Sequence, residues 1–221
     1  MTPPFRSLLL WCLGAFLSGS IPFGLILVKM AGKGDVRAQG SGNIGATNVL
    51  RTGGTVLGLA TLALDLLKGL VPVLLARLAG ASPFLLSAVV LAAVLGHMYT
   101  PWLHFKGGKG VATALGAILA YHPAMVVPAL GTFLILVLVF RYVSLGSVAA
   151  ALVLLLTAFG FLGRWACRPL PPLTTEEARF VMLPWVLLAG LVIRKHTGNL
   201  GRLIRGEETP LWGRSKERTD D

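Results

Sequence analysis

The chain has 221 residues, of which 55% are hydrophobic and only 13% charged, and its mean hydropathy is +0.77. A soluble domain carries about 25% charged residues, so this composition excludes one and points to an integral membrane protein. The net charge of +11 raises nucleic acid as a partner, but the basic residues sit between apolar runs rather than along one helix face. That pattern suits loops facing an anionic leaflet or anionic substrates.

The first apolar run, Ser7–Met30, contains Pro22 and is too long and too apolar beyond Ser18-Gly19-Ser20 to be a removable signal. It is expected as a retained helix. Spanning takes about 20 largely apolar residues, and the further candidates are Thr55–Ala79, Phe84–Trp102, Pro123–Phe140, Val143–Gly163 and Arg179–Arg194. Thr174-Thr175-Glu176-Glu177 offers the last of these a capping box. Val111–Tyr121 is awkward, since it gives about 16 Å of helix against a hydrocarbon core of about 30 Å. If it crosses, the chain has seven spans and the polar, Gly-rich segments 34–54, 103–110 and 195–221 share one side. If it returns, the last segment cannot meet the other two. Fourteen of the 20 Lys and Arg residues flank the motif side and five the other, with Lys68 mid-span. The charge bias favours seven spans, puts the motif side in the cytoplasm and the N-terminus outside, and leaves 199–221 as a cytoplasmic tail. The expected fold is therefore an all-α integral membrane protein, one polytopic domain over 1–221, with seven transmembrane helices, one of them short.

Residues 40–51 read G-S-G-N-I-G-A-T-N-V-L-R. Glycines let backbone N–H groups turn inward, Ser41, Asn43, Thr47 and Asn48 add short polar side chains, and Arg51 supplies a bidentate fork, the ingredients of an anion-holding loop. A flexible linker would instead be repetitive in Ser and Gly. Asp65 and Lys68 lie at i, i+3 in the middle of a span, where each charge costs about 2.5–3.5 kcal/mol, and are expected as an internal ion pair that fixes helix packing. In Lys106-Gly-Gly-Lys-Gly-Val-Ala-Thr113 the N–H groups of Gly107, Gly108 and Gly110, the positive end of the helix that follows, and the Lys109 ammonium are expected to converge on a phosphate. The Walker A spacing is missing. His97 ends the third span within reach of this loop, whereas His104 is an interfacial loop residue and His122 lies in an outer turn. In the last motif, His196 to Glu208, His196 and Asn199 share a helical face and Arg202 continues the row. Cys12 and Cys167 have no metal-ligand spacing, and sequence does not decide whether they pair.

Together these segments resemble the acyl-phosphate-dependent glycerol-3-phosphate acyltransferases of bacteria, the PlsY family. The family pattern S-G-N-x-G-A-T-N-x-x-R is present from Ser41 to Arg51 and F-K-G-G-K-G-V-A-T from Phe105 to Thr113. Its H-x-x-N-[IL]-x-R-[LI]-x-x-x-x-E corresponds to His196, Asn199, Leu200, Arg202, Leu203 and Glu208, and D-x-x-K-G and G-S-I-P-F-G match at Asp65–Gly69 and Gly19–Gly24. One departure is local: where the family has H-x-[FY]-P, Thr100 follows His97-Met-Tyr and Pro101 comes one place late.

The resemblance implies acyl transfer from acyl phosphate to the 1-hydroxyl of sn-glycerol 3-phosphate in the bacterial inner membrane. It makes Ser41, Arg51, Lys109, His196 and Asn199 contacts to glycerol phosphate, and adds Asn43 as a substrate contact assigned to neither substrate. It gives the acyl phosphate to the Gly107–Gly110 loop with Thr47 and Asn48, makes Glu208 a structural brace, and implies as a partner the phosphate acyltransferase that forms acyl phosphate. No nucleophile–His–carboxylate set occurs near these motifs, so the expected mechanism is substrate-assisted, with a substrate phosphate or His196 as base and Asn199 beside it. No metal or cofactor is expected. An organic-phosphate transporter is the rival from another class, but no paired halves with interrupted helices are visible. The single intramembrane Asp argues against a CDP-alcohol transferase, and no His is followed by Asp at the spacing of acyl-CoA-dependent acyltransferases.

Overall fold

A computed structural model describes residues 5–166 and 175–212, with side chains over 6–160 and 181–212. The described residues are helices and connecting turns: α1 (Phe5–Ser20), α2 (Phe23–Met30), α3 (Ala46–Gly53), α4 (Thr55–Leu78), α5 (Pro83–Met98), α6 (Val111–Tyr121), α7 (Pro123–Phe140), α8 (Val143–Ala166) and α9 (Thr175–Ile204). Five segments among them are long and apolar enough to cross a membrane: Arg6–Met30, Thr55–Leu78, Pro83–Leu103, Pro123–Phe140 and Val143–Gly160. The capping box at 174–177 and Cys167 lie outside the described side chains, and Cys12 is a free thiol.

The first apolar run is two helices rather than one. Pro22 cannot donate into the helix ladder and frees carbonyls of the preceding turn. Two polar side chains collect them: Thr100 Oγ1 donates to the Ser20 carbonyl at 2.6 Å and Lys68 Nζ to the Ile21 carbonyl at 2.8 Å. A broken helix at membrane depth survives only when its backbone is satisfied in this way. Lys68 also contacts Asp65 Oδ1 at 2.7 Å, with both side chains buried, so the mid-span charges pair with each other and hold the α1–α2 break against α4.

Glycines set the closest helix approaches. A Cβ on Gly69 would overlap the Thr113 carbonyl oxygen, and one on Gly116 the Leu66 carbonyl oxygen, so α4 and α6 cross with backbones in contact, as small residues permit in membranes. Gly19 on α1 and Gly96 on α5 do the same against Ala93 and Phe16. At its far end α6 meets the far end of α4, where Arg77 Nη1 donates to the Ala120 carbonyl at 2.9 Å.

One polar segment expected as a loop is helical, and the helical turn expected at His196 belongs to a longer helix. Residues 46–53 form α3, with Gly45 extended before its first turn. α9 runs ten residues past Arg194, so His196, Asn199 and Arg202 stand on a helix and not in a tail. Gly198 and Gly201 do not break it. The helix ends at Gly206 (φ +71), where Gly206 N–H bonds Leu203 O and Glu207 N–H bonds Arg202 O, a Schellman motif that needs the left-handed conformation glycine allows.

Candidate active site

A cavity of about 830 Å³ opens among α3, α4, α6, α7, α8 and α9, with His97 of α5 reaching it. Its polar end is lined by Ser41, Asn43, Thr47, Arg51, Lys109, Ser144, His196, Asn199, Arg202 and Glu208, drawn from all three motifs. Its other end is an apolar limb walled by residues such as Leu62, Leu115, Ile118, Leu130, Phe133, Leu154 and Leu188.

Glu208 ties the polar end together. Its Oε1 accepts from Asn199 Nδ2 at 2.6 Å and Ser144 Oγ at 3.0 Å, and its Oε2 accepts from Arg202 Nε at 2.9 Å. Asn199 passes the order on, because its Oδ1 accepts from Lys109 Nζ at 2.5 Å. The segment after α9 folds over the site: Arg51 Nη2 donates to the carbonyls of Thr209 (2.9 Å) and Pro210 (3.3 Å), and Leu211 N–H to Arg141 O at 2.7 Å. Arg51 therefore reaches the cavity with part of its fork already held by backbone.

Arg51, Lys109 and Arg202 share this end with the Glu208 carboxylate, so it carries excess positive charge. Burial, helped by Arg202 and Arg51 and opposed by Glu208, pushes the Lys109 ammonium down to about 8. An anion bound beside it reverses that cost. Two helix N-termini add to the field. Ala46 and Thr47 in the first turn of α3, and Val111 and Ala112 in the first turn of α6, line the cavity, and first-turn N–H groups have no intrahelical acceptor. Gly110 (φ +79) makes the left-handed turn that starts α6 there.

Two expectations are corrected. Gly107 and Gly108 do not aim N–H groups at a phosphate: these donate to the carbonyls of Met98 (3.2 Å) and His97 (3.1 Å), and neither residue lines the cavity. They are glycines for space, since a Cβ on Gly107 would overlap the His97 carbonyl and one on Gly108 the His97 ring at Nε2. Asn48 is not free for a ligand either. It is 2% exposed, its Nδ2 donates to the carbonyls of Val36, Gln39 and Asn43, and its Oδ1 accepts from Ser41 N–H. Asn48 folds the first motif and so presents Ser41 and Asn43.

His196 is buried, with Nδ1 2.7 Å from the Val192 carbonyl. That carbonyl can only accept, so Nδ1 carries the hydrogen and the Nε2 lone pair is left on the cavity side of the ring. Asp65 and His97 also line the cavity, with His97 Nδ1 3.7 Å from Asp65 Oδ1. Ser144 escaped the sequence reading. It lies in no glycine-rich motif and its hydroxyl is recognisable only once Glu208 is seen bonding to it. Thr100, where the family pattern has proline, bonds the Ser20 carbonyl, and the bend before Lys106 is made by the turn at Pro101–Leu103 with His104 and Phe105 at φ 51 and 61.

A cavity with a cationic mouth and an apolar limb, in a chain of helices apolar enough to span a membrane, has the polarity of an amphiphile with an anionic head. The family model described as glycerol-3-phosphate acyltransferase matches residues 9–206. Relatives named glycerol-3-phosphate acyltransferase include that of Trichlorobacter lovleyi, 49% identical over 91% of this chain and 96% of the relative. The one from Geobacter sulfurreducens is 48% identical over 88% and 92%. Among solved structures, PlsY, an integral membrane glycerol 3-phosphate acyltransferase, matches in its glycerol 3-phosphate form with a TM-score of 0.81, 38% identity, and 94% and 96% of the two chains covered. The lysophosphatidic acid form of PlsY matches with a TM-score of 0.78 and 37% identity, covering 92% and 95%. The chain belongs to the glycerol-3-phosphate acyltransferase family and is an integral membrane acyltransferase. Transport of organic phosphates, the rival that composition allows, finds no support among these relatives.

Proposed function

We propose that the protein transfers a fatty acyl group from an acyl phosphate to the 1-hydroxyl of sn-glycerol 3-phosphate, giving lysophosphatidic acid and phosphate, the first acylation of phospholipid synthesis. The observation that carries this reading is the joining, in one cavity, of an apolar limb to a cationic mouth built from Arg51, Lys109 and Arg202. An acyl phosphate is a chain ending in an anion, and glycerol 3-phosphate adds a second anion at the mouth. Both fit this division.

The hydroxyl oxygen attacks the acyl carbonyl carbon, the bond from that carbon to the phosphate oxygen breaks, and phosphate leaves with its electron pair. Cationic groups and the first turns of α3 and α6 stabilise the departing charge, and the donor is activated already, so orientation and preorganised electrostatics supply the acceleration. Ser41, Arg51, Lys109, His196 and Asn199 hold glycerol phosphate. Thr47, with Asn43 beside it and the α6 N-terminus, faces the acyl phosphate. The proton goes to a substrate phosphate oxygen or to Nε2 of His196. Glu208 braces the mouth. The donor is supplied from the cytoplasm by an enzyme that makes acyl phosphate.

Seven spans, counting α6 and α9, with the N-terminus outside and the C-terminus in the cytoplasm of the bacterial inner membrane, complete the proposal. The Arg77–Ala120 contact supports it, because it sets the end of the short helix beside the end of α4 that lies away from the motifs. The decisive assay is purified protein in detergent with labelled glycerol 3-phosphate and either palmitoyl phosphate or palmitoyl-CoA. Turnover is expected with the phosphate and not the thioester, and equal or faster rates with palmitoyl-CoA overturn the donor assignment.

A further inference from the structure

On the reading that the limb takes the acyl chain of the donor, we infer that the Tyr121–Trp185 ring pair closes the limb and sets the length of chain the enzyme accepts. On α9 the cavity-lining residues Asn199, His196, Val192 and Leu188 fall on one face, and Trp185 is the next residue of that row. On α6, Val111, Ala114 and Ile118 line the cavity and Tyr121 continues their row. The two rows converge where the lining stops, and there the rings meet edge to face with centroids 4.9 Å apart. Trp185 is 2% exposed and sits in the main core. Neither ring lines the cavity, so they form the layer immediately beneath it.

The depth is meaningful. Eleven residues separate Trp185 from His196 along a continuous helix, a rise of about 16 Å. One leaflet of a bilayer, half of a hydrocarbon core about 30 Å thick, has the same depth. A limb that deep takes about one membrane-lipid chain from a carbonyl held near His196, and a longer chain meets two aromatic rings anchored in the core. The competing path runs sideways past Leu62 and Leu134, which line the cavity and are 42% and 47% exposed. A chain leaving there would feel no floor.

The experiment measures kcat/KM over saturated acyl phosphates from lauroyl to arachidoyl, with glycerol 3-phosphate held constant. Trp185→Ala deepens the limb, and the ratio of arachidoyl to palmitoyl rates is expected to rise by roughly tenfold, the scale on which a pocket discriminates chain length. Ala189→Phe fills the limb one turn above the floor and is expected to move the optimum toward lauroyl and myristoyl phosphate. It keeps the test alive if Trp185→Ala does not fold. Trp185→Phe retains a ring and is expected to stay near the parent profile. Profiles unchanged in both Trp185→Ala and Ala189→Phe overturn the inference and point to the sideways path. A parent enzyme inert with every acyl phosphate would instead bring down the donor reading, and the length limit with it.

Discussion

Asn48 and Lys109 stand in glycine-rich motifs of the same polar character, yet the side chain of one is spent on holding the fold and that of the other lies among the cationic groups of the cavity. Asn48→Ala leaves three carbonyls and one N–H without their partner in a buried turn, each worth about 1–3 kcal/mol when unsatisfied. The expected result is a lowered thermal midpoint together with lost activity, and Asn48→Asp, which keeps only the acceptor, is expected to fare little better. Wild-type stability in either variant would return Asn48 to the list of ligand contacts. Lys109 is read through pH. With the ammonium held down to about 8, its charge is complete below that value and lost above it. The KM for glycerol 3-phosphate is therefore expected to rise as pH passes through about 8, and Lys109→Arg, which stays charged, is expected to flatten that rise even if its rate is lower. A KM as flat in the parent as in the Arg variant would remove Lys109 from the binding mouth. Gly108→Ala tests space rather than N–H chemistry. The added methyl overlaps the His97 ring, so it is expected to lower thermal stability and kcat together instead of raising KM for one substrate alone, and a pure KM effect would restore the phosphate-nest reading.

The same distinction explains which elements were legible in the sequence. The long apolar runs appeared as helices because hydropathy needs no tertiary context. Ser41, Arg51, Lys109, His196, Asn199 and Glu208 were legible as one polar set through the resemblance of the three motifs to the family patterns, and the cavity brings them together. Their helices were not. The Gly45-Ala46-Thr47-Asn48 stretch reads locally as a turn, and only packing of Val49 into the small core of Leu25, Val28, Val36, Ile44 and Leu103 makes it helical. Gly198 and Gly201 likewise suggest a loop, but α9 tolerates both because its polar face is fixed by Asn199 and Arg202 bonding Glu208. Glycine is the least readable residue of all. Gly108 for a close approach to His97 and Gly110 for a left-handed turn have one spelling and different reasons. Gly116 belongs to the first kind. Gly116→Val puts a branched side chain into the Leu66 carbonyl where α4 crosses α6, and overpacking there is expected to cost about 1–3 kcal/mol and to reduce the yield of folded protein in detergent. Unchanged yield and thermal midpoint would mean the two helices can part without harm.

At the scale of the whole molecule, the three motifs can build one cationic mouth only if the chain arrives on the same side each time, and α6 decides that. Its 11 residues are too few to cover a full core, but it need not start at the membrane surface: the first turn opens inside the cavity at Gly110, and the far turn ends against Arg77 of α4. The short helix thus opens at the polar mouth while the apolar limb continues along it, and on the proposed reaction this sets the phosphate end of an acyl phosphate beside glycerol 3-phosphate. The side of Ala124, an exposed residue just after α6, is the test. In a cysteine-free background, single cysteines at Ala38 and Arg205 are expected to label with a membrane-impermeant maleimide only from the cytoplasmic side, and one at Ala124 only from outside. Labelling of the Ala124 position from the cytoplasm would make α6 a re-entrant hairpin and the span count six. By parity Ala38 and Arg205 would then label from opposite sides, Arg51 could not bond Thr209 and Pro210, and the mouth that unites the three motifs would not exist.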